Sequence, residues 1–180
     1  LTPHSTAYIY NNKNYSYEWV NNFANAIADN IIRAGIKEGS YIPLFMKKGI
    51  ELPVAMMAVM KSGCAFVPVD TDAPEERLKV IFNDLASKIV LTTEKYKSRI
   101  PSLDNTQVYV IPPEIIQGSF KNPGTGIMPD DPIYGIYTSG TTGIPKCAIN
   151  LHKGITNRFL FMNDYFNPAD SLTVFHSANY

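Results

Sequence analysis

Residues 41–70 read YIPLFMKKGIELPVAMMAVMKSGCAFVPVD. The first five, Tyr41 to Phe45, form a short apolar run that predicts a strand. Ile50 to Lys61 is apolar nearly all round, which predicts a buried helix. Pro53 fits that helix only in its first turn, where a missing N–H breaks no intrahelical bond. Gly63 supplies the stop, and Cys64 to Val69 predicts the next strand. A strand, a helix and a second strand make up the unit of a parallel sheet, because parallel neighbours need a crossover.

The same alternation continues outward. Toward the C-terminus, Pro74 opens a helix whose Leu78, Ile81, Phe82 and Leu85 share a face. Lys88 to Thr92 and Gln107 to Ile111 predict further strands. Toward the N-terminus, Val20, Phe23, Ala24, Ile27, Ala28 and Ile31 form a helical stripe that Gly35 closes. Ser16 is placed to cap that helix, with Glu18 in its first turn. Before it, Ala7–Tyr10 and Tyr15–Tyr17 flank an Asn-rich turn and predict a hairpin. Residues 112–132 hold four prolines and three glycines before Pro132 and read as a connecting loop. Leu151 to Phe166 predicts a helix with Leu151, Ile155, Phe159 and Met162 on one side, although Gly154 weakens its start. Ser171 to His176 predicts a last strand. The order indicates an α/β fold, layered, with a largely parallel sheet flanked by helices.

Composition narrows the function classes. At 180 residues the chain is about one domain long, taking roughly 150 residues per domain. Its 45% apolar and 18% charged content exclude whole-chain disorder. Sixteen basic and sixteen acidic residues cancel, so nothing draws the chain to nucleic acid or an anionic membrane. Cys64 and Cys147 are too few for a disulfide scaffold or a four-cysteine zinc site. His4, His152 and His176 show no ligand-like spacing and read as structural or exposed. The longest apolar run, Leu52 to Met60, is nine residues against about 20 for a bilayer span. Leu1 opens the chain without a basic–apolar–small export pattern, and a cytoplasmic piece of a longer polypeptide is the expectation.

The chemistry concentrates in residues 136–147, IYTSGTTGIPKC. A strand from Pro132 to Tyr137 runs into Thr138, Ser139, Gly140, Thr141, Thr142 and Gly143, with Lys146 three residues on and a short strand after it. Glycines let backbone amides close on an anion, hydroxyls donate to phosphate oxygens, and lysine adds a mobile positive charge. The Walker loop does not fit. Counting from Gly140, Pro145 stands where glycine is required, and Cys147 where a magnesium-binding hydroxyl belongs. By local composition alone the stretch also reads as a plain Ser/Thr/Gly surface turn.

The rest of the chain weighs against that plain reading. Tyr137 to Lys146 resembles the phosphate-binding signature of the adenylate-forming superfamily, which includes peptide-synthetase adenylation domains, CoA ligases and luciferases. Residues 15–20 (YSYEWV) resemble the first core motif of adenylation domains of non-ribosomal peptide synthetases. Residues 60–70 (MKSGCAFVPVD) resemble the second, and residues 74–78 (PEERL) its usual sequel. Residues 152–154 and 157–162 also look like the peptide-synthetase branch. The motifs arrive in family order along nearly the whole chain.

The resemblance implies the N-terminal part of an AMP-binding adenylation domain, residues 1–180, within the adenylate-forming fold. It implies ATP and Mg2+ as cofactors and activation of a carboxylic acid, here an amino acid, as acyl-adenylate. The acyl group then passes to the phosphopantetheine thiol of a carrier protein beside neighbouring synthetase domains. Thr138, Ser139, Gly140, Thr141, Thr142, Gly143 and Lys146 carry over as the residues that hold the phosphates and the leaving pyrophosphate. A CoA ligase of acyl or aryl acids, or a non-catalytic scaffold derived from such a domain, are the alternatives. The family's specificity pocket, its magnesium-binding glutamate, its ribose-binding aspartate and its C-terminal lysine are expected beyond Tyr180, so the isolated chain is expected to be inactive.

Cys147 departs from the family's usual glycine. Beside Lys146 it could carry a lowered thiol pKa, but a structural strand cysteine is the plainer reading. Asp70, Asp72, Asp130 and Asp131 are read as turn and cap residues rather than metal ligands.

Overall fold

The computed structural model describes residues 2–114, 120–138, 145–166 and 173–174. A hairpin of β1 (Thr6–Tyr10) and β2 (Lys13–Ser16) opens the chain, its turn made by Asn11 and Asn12 in the left-handed region. Asparagine is among the few non-glycine residues that accept this conformation readily. Helix α1 (Tyr17–Arg33) follows, and the Ser16 hydroxyl accepts from the Trp19 N–H at 3.1 Å. β3 (Tyr41–Phe45), α2 (Glu51–Lys61), β4 (Ala65–Pro68), α3 (Glu75–Leu85) and β5 (Ile89–Thr92) then alternate. A one-turn helix α4 (Glu94–Lys97), β6 (Gln107–Val110), β7 (Pro132–Thr138), β8 (Lys146–Leu151) and α5 (His152–Phe166) complete the order.

Both glycine stops work through the same geometry. Gly35 and Gly63 lie at φ +72° and +76°. At the end of α1, Gly35 N–H donates to Ile32 O and Ile36 N–H to Ile31 O. At the end of α2, Gly63 N–H donates to Met60 O and Cys64 N–H to Val59 O. Each pair satisfies carbonyls that the helix end leaves open.

The main sheet runs β6-β5-β3-β4-β7-β8. Its first five strands are mutually parallel, and β8 pairs antiparallel with β7. Alternate side chains divide between two cores, as a strand's period of two requires. Ile42, Leu44, Ile89 and Leu91 pack with α1 and α2 on one face. Phe45, Val67 and Val90 pack with Leu78, Ile81 and Phe82 of α3 on the other. Burying each such side chain contributes about 1.5–3 kcal/mol. Residues 120–126 lie along the α1–α2 side: the buried Asn25 donates to Phe120 O at 3.0 Å, and Lys61 donates to Asn122 Oδ1.

The layered, largely parallel fold read from the sequence is the fold observed. Three details differ. Leu151 ends β8, so α5 begins at His152 and runs through Gly154. Phe159 and Met162 stand exposed with Leu160, Phe161, Tyr165 and Phe166, so the apolar side of α5 faces no core among the described residues. Helix α4 was not anticipated, because four residues are too few for a periodicity. The strand read at Ser171 to His176 lies outside the described residues, apart from Thr173 and Val174, which stand in no regular element.

Candidate functional site

β7 and β8 form a hairpin around the hydroxyl-rich loop. Tyr137 faces Cys147, and Thr138 faces Lys146. The Thr138 hydroxyl donates to the Lys146 carbonyl at 3.4 Å, closing the hairpin's mouth. Both residues are exposed. Among the described residues Lys146 makes no ion pair with a carboxylate. Ser139, Gly140, Thr141, Thr142 and Gly143 lie outside the described residues. Because β7 is parallel to β4, Thr138 sits at the edge of the sheet where β3, β4 and β5 also end. In open α/β sheets this carboxyl edge is where ligands bind.

The same edge carries a cleft of about 430 Å³ between the segments that follow β3 and β4. Those two strands lead into α2 on one face and α3 on the other, which makes this the topological switch point of the sheet. Lys47, Lys48, Asp70, Thr71 and Asp72 line it with Met46, Leu52 and Val69. Lys47 pairs with Asp72 at 2.6 Å. That bond holds the Asp72 carboxyl below the usual range and raises the Lys47 ammonium. The Thr71 hydroxyl is buried and finds no hydrogen-bond partner among the described residues. The cleft was not foreseen, because strand order is invisible in the sequence.

Asp70 and Asp131 accept turn N–H bonds, whereas Asp72 and Asp130 are held in ion pairs with lysines. Asp70 Oδ1 accepts from the Asp72 N–H at 2.9 Å, and Asp131 Oδ2 from the Met128 N–H at 2.7 Å. Asp130 pairs with Lys153. Among the described residues, no group of three or more His, Cys, Asp or Glu side chains is arranged to hold a metal ion.

Cys147 takes the plainer of its two sequence readings, that of a structural strand cysteine. Burial, with the Asp84 charge, pushes its thiol up rather than down. It is half-buried on β8, and its Sγ crosses to Gly135 of β7, where a β-carbon would come within 2.5 Å of it. The sulfur is thus accommodated by a glycine on the neighbouring strand. The reach of the thiol toward the sheet, away from solvent, outweighs its nearness in sequence to Lys146.

Tyr137 makes a contact that sequence reading missed. Its hydroxyl donates to Asp84 Oδ2 at the end of α3. Burial and this carboxylate push the phenol well above its ordinary value. The one sequence signal was Asp84 itself, an acid in the last turn of a helix, where the dipole favours a base.

A family model described as "AMP-binding enzyme" matches residues 1–179. The chain belongs to this family. It is 32% identical over 180 residues to surfactin synthase subunit 3 of Bacillus subtilis, which covers 99% of this chain and 14% of the synthase. It is 33% identical over 182 residues to tyrocidine synthase 1 of Brevibacillus parabrevis, covering 99% of this chain and 17% of that protein. The chain therefore spans less than a fifth of the length of these relatives. Its fold is similar to a crystal structure of the nonribosomal peptide synthetase FmoA3 with α-methyl-L-serine-AMP bound. The TM-score is 0.84 at 24% identity, over 92% of this chain and 18% of that one. Among the described residues no helix is long and apolar enough to cross a membrane.

Proposed function

We propose that this chain is the N-terminal part of an adenylation domain of a cytoplasmic non-ribosomal peptide synthetase. The domain activates a carboxylic acid, an amino acid in this reading, with ATP. A carboxylate oxygen attacks the α-phosphorus, the bond to the β-phosphate breaks, and pyrophosphate leaves. The phosphopantetheine thiol of a carrier protein then attacks the acyl carbon, and AMP leaves. The observation that carries the reading is the β7–β8 hairpin of an AMP-binding family member. Its mouth is closed by Thr138 and Lys146 at the carboxyl edge of the sheet.

Thr138, Ser139, Gly140, Thr141, Thr142, Gly143 and Lys146 hold the β- and γ-phosphates in this reading. Their task is positioning and charge stabilisation of the leaving pyrophosphate. An exposed ammonium and hydroxyl at the mouth fit a phosphate. The reaction's Mg2+ finds no carboxylate cluster among the described residues, and no residue of this chain is assigned to it. A carboxylic acid is already ionised at pH 7, so the loop needs no general base.

The experiment is ATP–pyrophosphate exchange by the full-length protein, with pools of amino, aryl and fatty acids. Exchange driven by one amino acid supports the reading and names the substrate. Exchange driven only by an aryl or fatty acid moves the protein to the CoA-ligase branch. Folded protein that exchanges with no pool points to a scaffold.

A further inference from the structure

Asp84 stands in the last turn of α3, where the negative end of the helix dipole disfavours a carboxylate. That turn carries no basic residue to offset it. The side chain instead accepts the Tyr137 hydroxyl, 53 residues along the chain.

Tyr137 occupies a sensitive place. Phe66 of β4 is level with Tyr134 of β7, so β4 ends at Pro68, level with Ile136. Tyr137 and Thr138 therefore project past their parallel neighbour, and proline offers no N–H there to extend the ladder. On the other side lies β8, which among the described residues is the edge strand of the sheet and pairs only with β7. Among the described residues, the Tyr137–Asp84 bond is the side-chain hydrogen bond that ties this projecting end to a helix. The next pair outward is Thr138 and Lys146, the mouth of the loop.

We propose that Asp84 is a positioning residue. Acting through the Tyr137 hydroxyl, it fixes the root of the hairpin, so that Thr138 and Lys146 are held ready for the phosphates of ATP. This rests on the phosphate-binding reading given above. The Tyr137 ring also packs beside the α3 core, a contact that does not involve the hydroxyl. The bond therefore sets where the strand end points rather than whether the sheet forms.

The test uses the full-length protein with Asp84→Ala, Asp84→Asn, Tyr137→Phe, the Asp84→Ala/Tyr137→Phe pair, and Lys146→Ala as reference. Two quantities are read: the KM for ATP in pyrophosphate exchange, and the rate of tryptic cleavage after Lys146 without ATP. Loss of an exposed charge-assisted hydrogen bond predicts a rise of about 3- to 10-fold in the KM for ATP in Asp84→Ala and in Tyr137→Phe. The KM for the acid substrate stays within about 2-fold, since no contact to it is removed. Cleavage after Lys146 accelerates in the same two variants. The double variant is no worse than either single, as expected of two residues acting through one bond. Asp84→Asn retains an acceptor oxygen and restores both readouts to near the parent values.

Wild-type KM and wild-type cleavage in both single variants overturn the proposal. So do effects that simply add in the pair. The reference separates the two readings. If Lys146→Ala loses exchange while the other variants do not, positioning fails and phosphate binding stands. If Lys146→Ala leaves exchange unchanged, phosphate binding fails, and the cleavage comparison still decides whether Asp84 holds the hairpin.

Discussion

Cys147 and Gly135 share one volume: the Sγ of the cysteine on β8 lies where a side chain on the glycine of β7 would stand. A β-carbon at Gly135 would come within 2.5 Å of it, and within 3.5 and 3.6 Å of Val67 and Ile149. A side chain at Gly135 therefore calls for a smaller residue at position 147.

Gly135→Ala alone should destabilise the chain by about 1–3 kcal/mol, the usual cost of an overpacked core. In a Cys147→Ala background the sulfur is gone, and the same change should cost markedly less. Urea unfolding of the four variants measures the coupling. Equal costs in both backgrounds would show that the thiol is not the obstacle.

Cys147 should also be a sluggish nucleophile. Burial and the Asp84 carboxylate raise its thiol, so the thiolate fraction at neutral pH lies below that of an ordinary cysteine. Cys64 is buried and raised as well. Iodoacetamide labelling at pH 7.5, read by mass spectrometry, should be slower for both in the folded chain than in urea. It should quicken only above the ordinary thiol range. Rapid labelling of folded Cys147 at pH 7 contradicts this account.

Much of the fold was legible because single residues punctuate it. Ser16 starts α1, Gly35 and Gly63 stop α1 and α2, and Pro53 fits only where α2 begins. These effects are local and act through backbone geometry. Strand order was not legible, because the pairing of β5 with β3 and of β7 with β4 joins segments far apart in sequence. The cleft at residues 46–48 and 68–72, and the Asp84–Tyr137 bond, follow from that order and stayed hidden with it. Of the loop, the sequence yielded residue types and spacing, and the structure adds the pairing of its roots at Thr138 and Lys146. The apolar residues of α5 suggested a packed face, yet periodicity tells only that a face exists and not what covers it.

The Lys47–Asp72 pair makes a prediction about acid. Asp72 titrates below its ordinary value in the folded chain, with its hydrogen bond to Lys47 as the main cause. Its contribution to stability is therefore present above the ordinary carboxylate range and fades as the pH falls through the depressed value. The raised Lys47 is the mirror case: its share is present below the ordinary lysine range and fades as the pH climbs through the raised value. Both side chains are exposed, so salt should weaken the effect. Carboxyl NMR titration should find Asp72 below its unfolded value, and Lys47→Met should bring it back up. An unshifted Asp72 in the parent chain refutes the pairing in solution.

Lys146→Ala tests the phosphate reading most directly. Lys146 closes the loop opposite Thr138, is exposed, and lies at the edge where the parallel strands end. Its removal leaves the hairpin bond intact, because Thr138 is bonded to the lysine's main-chain carbonyl and not to its side chain. The fold should therefore survive, and thermal melting should stay near that of the parent. What is lost is one charged contact to phosphate, worth about 1.5–3 kcal/mol, or roughly 10- to 150-fold in kcat/KM for ATP. Lys146→Arg keeps the charge but replaces a compact ammonium with a planar fork, so it should recover only part of the loss. Steady-state pyrophosphate exchange with the three proteins reads this order directly. If Lys146→Ala exchanges as fast as the parent, the ammonium does not hold the phosphates.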